Sequence, residues 1–161
     1  NGIYMDIERA DGSTIKGGSQ IADYENQIVL TELSQSLWAE NAGCGCCSAT
    51  LSASKKPGPS STELYKTTLT GEDFERVTIA FVEGQETGKP HKYLEMELEE
   101  ASITTIDASF SGSAQWTGRS EHLTLDFSGI TWTSWENGEK QVQQWQAPDD
   151  EGDNECGSAE H

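Results

Sequence analysis

Basic residues are scarce. Ten lysines and arginines stand against 28 aspartates and glutamates, a formal charge of −18 over 161 residues. Binding a phosphate backbone or an anionic bilayer takes a basic patch, and this chain has nowhere to assemble one, which excludes nucleic acid and membrane surfaces as partners. Long apolar runs are missing too. Hydrophobic residues make up 34% and the mean hydropathy is −0.63. No stretch nears the ~18 consecutive apolar residues of a membrane-inserting span. Cysteine is sparse, and four thiols are too few to serve as a disulfide scaffold at this length. Histidine is rarer still. His91 follows Pro90 at an expected strand start, His122 alternates to an outer face, and His161 is terminal. None falls in a nucleophile or zinc pattern, and each reads as a surface residue. No glycine loop suited to phosphate occurs, and Glu99–Glu100 reads as a solvated turn at a strand junction. These absences leave no catalytic, cofactor-binding or metal-binding constellation, so an enzyme is not expected. The chain opens on Asn1, and whether a leader preceded it stays open.

What is present is alternation. At 17.6 kDa the chain suits one domain that buries roughly 70% of its unfolded surface. Residues 2–9 put Ile3, Met5 and Ile7 on one face and Tyr4, Asp6 and Glu8 on the other. Residues 26–38 read as a strand covered on both faces, with Val29, Leu33 and Leu37 opposed by Ile28, Leu30 and Trp38. Val77, Ile79 and Phe81 share a face within 74–82, as do Leu94, Met96 and Leu98 within 93–98, where Glu95 and Glu97 point outward. In 121–133 the phase flips from Leu123, Leu125 and Phe127 to Ile130 and Trp132. A β-bulge at Ser128–Gly129 is the expected cause, since one inserted residue reverses the pattern and turns a barrel corner. One helix start is legible. Ser60 and Glu63 fit a capping box, Gly71 suits the left-handed stop, and Leu64, Tyr65, Thr68 and Leu69 form the expected buried stripe. Mainly β with one short helix is the class that results.

Two segments look irregular. Residues 41–54 read as a long loop with a strand near 50–53, and residues 147–161 hold six acidic side chains and read as a solvated tail. Cys44, Cys46 and Cys47 crowd into the loop, and Cys156 lies in the tail. They are compatible with disulfides within or between chains, with free thiols, or with a metal-binding set, although no paired Cys-x-x-Cys spacing is present. Trp116, Trp132, Trp135 and Trp145 cluster late. Core or subunit-interface packing is the favoured reading, and a sugar-stacking platform is the alternative.

The order of these elements resembles the haemolysin-coregulated proteins (Hcp), the tube subunits of type VI secretion systems. The opening Ile3-Tyr4-Met5-Asp6-Ile7-Glu8 with its Asp11–Gly17 turn, and the segment Gln27–Trp38 ending in a Ser-x-x-Trp-like step, are similar to the family's first strands. Leu51–Lys56 and the helix from Ser60 resemble its Ser-x-x-Lys strand and helix. Tyr93–Leu98 and Glu121–Ile130 are similar to its later strands. The likeness spans about 2–146. It implies a small antiparallel β-barrel over residues 1–146 with one flanking α-helix, and a flexible acidic tail over 147–161. The barrels would assemble as homo-hexameric rings that stack into a secreted hollow tube. A contractile sheath, a spike and effector proteins are the implied partners. The loop after the second strand would dock the next ring, and the cysteines there depart from the family's Gly- and Ser-rich pattern. With Cys156 they are the expected stacking and disulfide positions. An extracellular filament without injection role and a secreted carbohydrate-binding module are the alternative functions.

Overall fold

A computed structural model describes residues 1–39, 47–112 and 118–148. Nine strands and one α-helix follow in the order β1 (Gly2–Arg9), β2 (Ile28–Leu30), β3 (Glu32–Ala39), β4 (Cys47–Lys55), α1 (Ser61–Thr70), β5 (Phe74–Glu83), β6 (His91–Ser109), β7 (Ser120–Asp126), β8 (Gly129–Glu136) and β9 (Glu139–Gln146). All pairings are antiparallel, in the order β2-β1-β5-β6-β7-β4-β3, with β8 between β6 and β9. The mainly β class with one helix expected from the alternation, and the antiparallel barrel the resemblance implies, are the observed fold.

The core is built from the inward parity of each strand. Met5 and Ile7, Val77 and Ile79, Leu98, Leu51, Leu123 and Leu125 are all completely or almost completely buried. Each such side chain contributes about 1.5–3 kcal/mol on burial. The opposite parity of β1 is also partly covered, because Tyr4 stacks on Tyr24 at 4.6 Å between ring centroids.

The strand expected over 26–38 is two strands. Thr31 separates them and donates its N–H to the Ser54 carbonyl at 2.8 Å. β2 pairs with β1, while β3 pairs with β4. The inward parity therefore changes from Ile28 and Leu30 to Leu33, as the chain crosses from one wall to the other. That crossing, not two-sided burial of one strand, explains the mixed pattern.

Glu99–Glu100 is no turn. Both lie inside the 19-residue β6, whose first half pairs with β5 and β8 and whose second half pairs with β7. Inward residues shift from Leu94, Met96 and Leu98 to Ala101 and Ile103, with Glu100 at φ +50°. The partner flips at the same level, and Ser102 opposite Asp126 and Glu99 opposite Gly129 keep one register across it. No residue is inserted in β7–β8 relative to β6, so the expected bulge at Ser128–Gly129 is instead a corner taken by both strands together. Ser128 N–H and Oγ–H both donate to the Glu99 carbonyl, at 3.0 and 3.1 Å, and hold the bend.

At α1 the stop is as expected. Gly71 adopts φ +71°, its N–H reaches the Thr68 carbonyl and that of Glu72 reaches Thr67, a Schellman ending. The start is not a capping box, since Ser60 makes no side-chain cap and Glu63 turns to Arg9. The Ser61 hydroxyl instead accepts the Gly58 N–H at 2.9 Å. The buried stripe is Ser61, Leu64 and Thr67, with Tyr65 and Thr68 half-buried and Leu69 88% exposed. The expected long loop is shorter than 41–54, because β4 begins at Cys47 and pairs with β3 out to Ala39.

Candidate assembly interface

The β3–β4 hairpin outruns the barrel wall. β4 pairs with β7 only from Leu51 to Lys55, whereas its pairing with β3 continues to Cys47. Residues 36–39 and 47–50 thus extend beyond the β7 pairing as a two-stranded arm. It carries Leu37 and Trp38, 57% and 51% exposed. Such large apolar side chains on an arm are costly in a monomer and mark a contact surface. Beside the arm lies the β8–β9 hairpin, and Trp132 Nε1–H donates to Gln35 Oε1 at 2.6 Å across the gap. Between the two hairpins runs a groove of about 300 Å3 lined by Leu37, Trp38, Ala49, Trp132 and Trp145, without a charged side chain. The outer edges of β3 and β9 have no strand partner among the described residues. Open edges of this kind invite pairing with another chain.

The late tryptophans do not share one face. Trp132 and Trp145 pack half-buried against the core, while Trp135 lies on the opposite parity of β8 with Lys92 Nζ 5.0 Å from its ring centroid. Trp116 lies outside the described residues. Of the cysteines, Cys47 opens β4 opposite Ala39 and is half-buried. Cys44, Cys46 and Cys156 lie outside the described residues. His91 begins β6, and His122 is exposed with its Nδ1 2.8 Å from Ser54 Oγ.

A buried ionic cluster fixes the helix to the barrel, and sequence reading passed over it. Lys55 and Glu121 end neighbouring strands β4 and β7 in direct register, with side chains 3% and 1% exposed. Lys55 Nζ donates to Glu121 Oε1 and, at 3.1 Å, to Ser61 Oγ. Ser61 Oγ–H donates to Glu121 Oε1 at 3.1 Å, and the Tyr65 hydroxyl donates to Oε2. Burial pushes the Glu121 carboxyl up, but hydrogen bonds from Lys55 and Tyr65 and the Lys55 charge outweigh it, and the group sits below its usual range. The hydrogen bond to Glu121 pushes the Tyr65 hydroxyl up. Arg9 adds a second tie, bonding Glu63 in the first turn of α1 and Glu72 just past its end. The signal for Lys55 and Glu121 was in the alternation. Each occupies the inward parity of its strand, after Leu51 and Ala53 and before Leu123 and Leu125.

No curated protein matches the chain by sequence. A family described as "Type VI secretion system effector, Hcp" matches residues 4–134. The chain belongs to the Hcp family. Solved Hcp structures agree with it in fold. A mutant of Hcp1 from the E. coli EAEC 042 pathovar is 20% identical, with a TM-score of 0.74 over 89% of this chain and 99% of that one. Hcp1 from Salmonella typhimurium is 17% identical, with a TM-score of 0.76 over 91% and 94%. A type VI secretion system effector from Yersinia pestis is 16% identical, with a TM-score of 0.72 over 89% and 98%. The whole Hcp fold is thus present in this chain, at low sequence identity.

Proposed function

We propose that this chain is a structural subunit of a hollow type VI secretion tube, built from stacked rings of six copies. The family match over 4–134 carries the reading, and the projecting β3–β4 arm supports it. The role is structural and involves no catalysis. A contractile sheath expels the tube behind a spike, the lumen carries effector proteins, and the subunit leaves the cell with them. The barrel of residues 1–146 forms the ring; Ala147 still donates its N–H to the Ser128 carbonyl, and residues 149–161 of the expected acidic tail lie outside the described residues. Negative-stain microscopy of the purified chain is the test. Rings or tubes are expected, and a monomer at all concentrations overturns the reading.

Ring-to-ring docking falls to residues 41–54, of which 41–46 lie outside the described residues. Residues 40–46 join β3 to β4 and carry Cys44 and Cys46 next to Cys47. Three thiols within four positions of a segment that the Hcp resemblance assigns to stacking favour disulfides that lock neighbouring subunits, with Cys156 as a further partner. Non-reducing electrophoresis after thiol blocking is expected to show dimers and larger species that collapse on reduction. Chains that run only as monomers exclude the lock while leaving the tube reading standing.

A further inference from the structure

Two charge-free apolar surfaces lie at opposite corners of the four-stranded wall β6-β7-β4-β3. One is the groove between the arm and the β8–β9 hairpin. The other is a shallow hollow of about 320 Å3 where α1 meets the end of β6, with Leu69 and Phe110 among its walls. There Leu69 and Phe110 are 88% and 62% exposed over Ile106, the two most exposed large apolar side chains among the described residues. Three further grooves of the described surface each carry charged side chains.

Within one chain the two surfaces cannot meet. Ser109 lies opposite Ser120, and Glu121 opposite Lys55, so Phe110 is at the Lys55 end of β4. The groove is at the Ala49 end, six residues away, about 20 Å at the rise of a strand. Crossing from β6 to β3 adds three strand spacings, roughly 14 Å. About 25 Å therefore separates the patches along the diagonal.

We propose that the groove receives the Leu69–Phe110 patch of a second copy of this chain. The contact deepens the reading of the chain as a self-assembling subunit, on which it rests, by naming the side chains that meet. A chain with a charge of −18 associates most favourably where apolar area is removed from water and no carboxylates are brought together. These two surfaces satisfy both conditions. Because they differ and lie at opposite corners, their contact is head-to-tail. Repetition of a head-to-tail contact yields a ring when the rotation closes and a filament when it does not. Trp132 and Trp145 supply the rigid aromatic floor typical of an interface core.

Photo-crosslinking tests the contact in the full chain. With Phe110→p-benzoylphenylalanine under assembly conditions, the expected product links two chains, from position 110 to peptides carrying Leu37, Ala49, Trp132 or Trp145. Links confined to one chain, or to another region of the neighbour, overturn the proposal. A charge-swap series provides a second measurement. Phe110→Lys and Leu37→Glu are each expected to lower the assembled fraction at least tenfold, and the double variant to recover most of it through an ion pair at the same place. Single variants that assemble like wild type, or a double variant no better than either, also overturn it. Wild-type chains that never assemble refute the tube reading itself, whereas wild-type rings with unaffected variants refute only this contact.

Discussion

Lys55 and Glu121 hold opposite charges at the end of a barrel wall where neither is tolerable alone. Removing one partner from a buried pair leaves an uncompensated charge and typically costs about 3–5 kcal/mol. Lys55→Met is therefore expected to lower the thermal midpoint by many degrees, read by circular dichroism. The double change Lys55→Met with Glu121→Leu is expected to recover most of that loss, since an apolar pair of similar volume is often neutral or better. The pair also sets a pH window. Glu121 has a depressed folded pKa, so its contribution is complete above the unfolded carboxylate value and is lost as pH falls through the folded one. Tyr65 has a raised folded pKa, so its contribution is complete below the unfolded tyrosine value of about 10 and is lost as pH rises through the folded one. Denaturant midpoints measured across pH are expected to fall at both ends. Phe replacing Tyr65 should abolish the alkaline arm assigned to this group.

Elements show where sequence pattern is sufficient and where it fails. β1 was legible in full, since its alternation runs unbroken from Gly2 to Arg9 and one face packs on the core. The helix stop was equally legible, because a left-handed residue after Thr70 calls for glycine. The helix start was not. Ser60 and Glu63 have the right spacing for a cap, yet Arg9, 54 residues from Glu63, competes for the carboxylate and wins it. In β6, phase was read correctly up to Leu98, but the matching flip beyond it looked like a turn, because a corner shared by two strands is specified by their pairing. Gly17 belongs to this scale too. A Cβ there would come within 2.5 Å of the Gln27 carbonyl oxygen and the Ile28 Cα, both backbone atoms that cannot swing away. Gly17→Ala should therefore pry the 15–19 segment off β2 at a cost of about 1–3 kcal/mol. Equilibrium unfolding in urea will measure it, with an unchanged midpoint counting against that close approach.

At the scale of the whole molecule, charge becomes a property of the assembly. Each copy brings −18, so a ring of six multiplies the charge sixfold and the repulsion by more than that, and salt screens it over a Debye length of about 8–10 Å. Tube length measured by electron microscopy or light scattering is expected to rise with ionic strength between low and physiological salt. Indifference to salt would place the carboxylates away from one another in the assembled ring. The sequence by itself determined the β class, the helix stop, the acidity and the family resemblance, because alternation, glycine placement, composition and motif order are local properties that need no neighbour. The tertiary structure alone decided the pairing of Lys55 with Glu121, the corner shared by β6 and β7–β8, and the placing of Leu37, Trp132 and Trp145 in one groove. Each of these joins residues from different strands, and which strands become neighbours is settled only when the barrel closes.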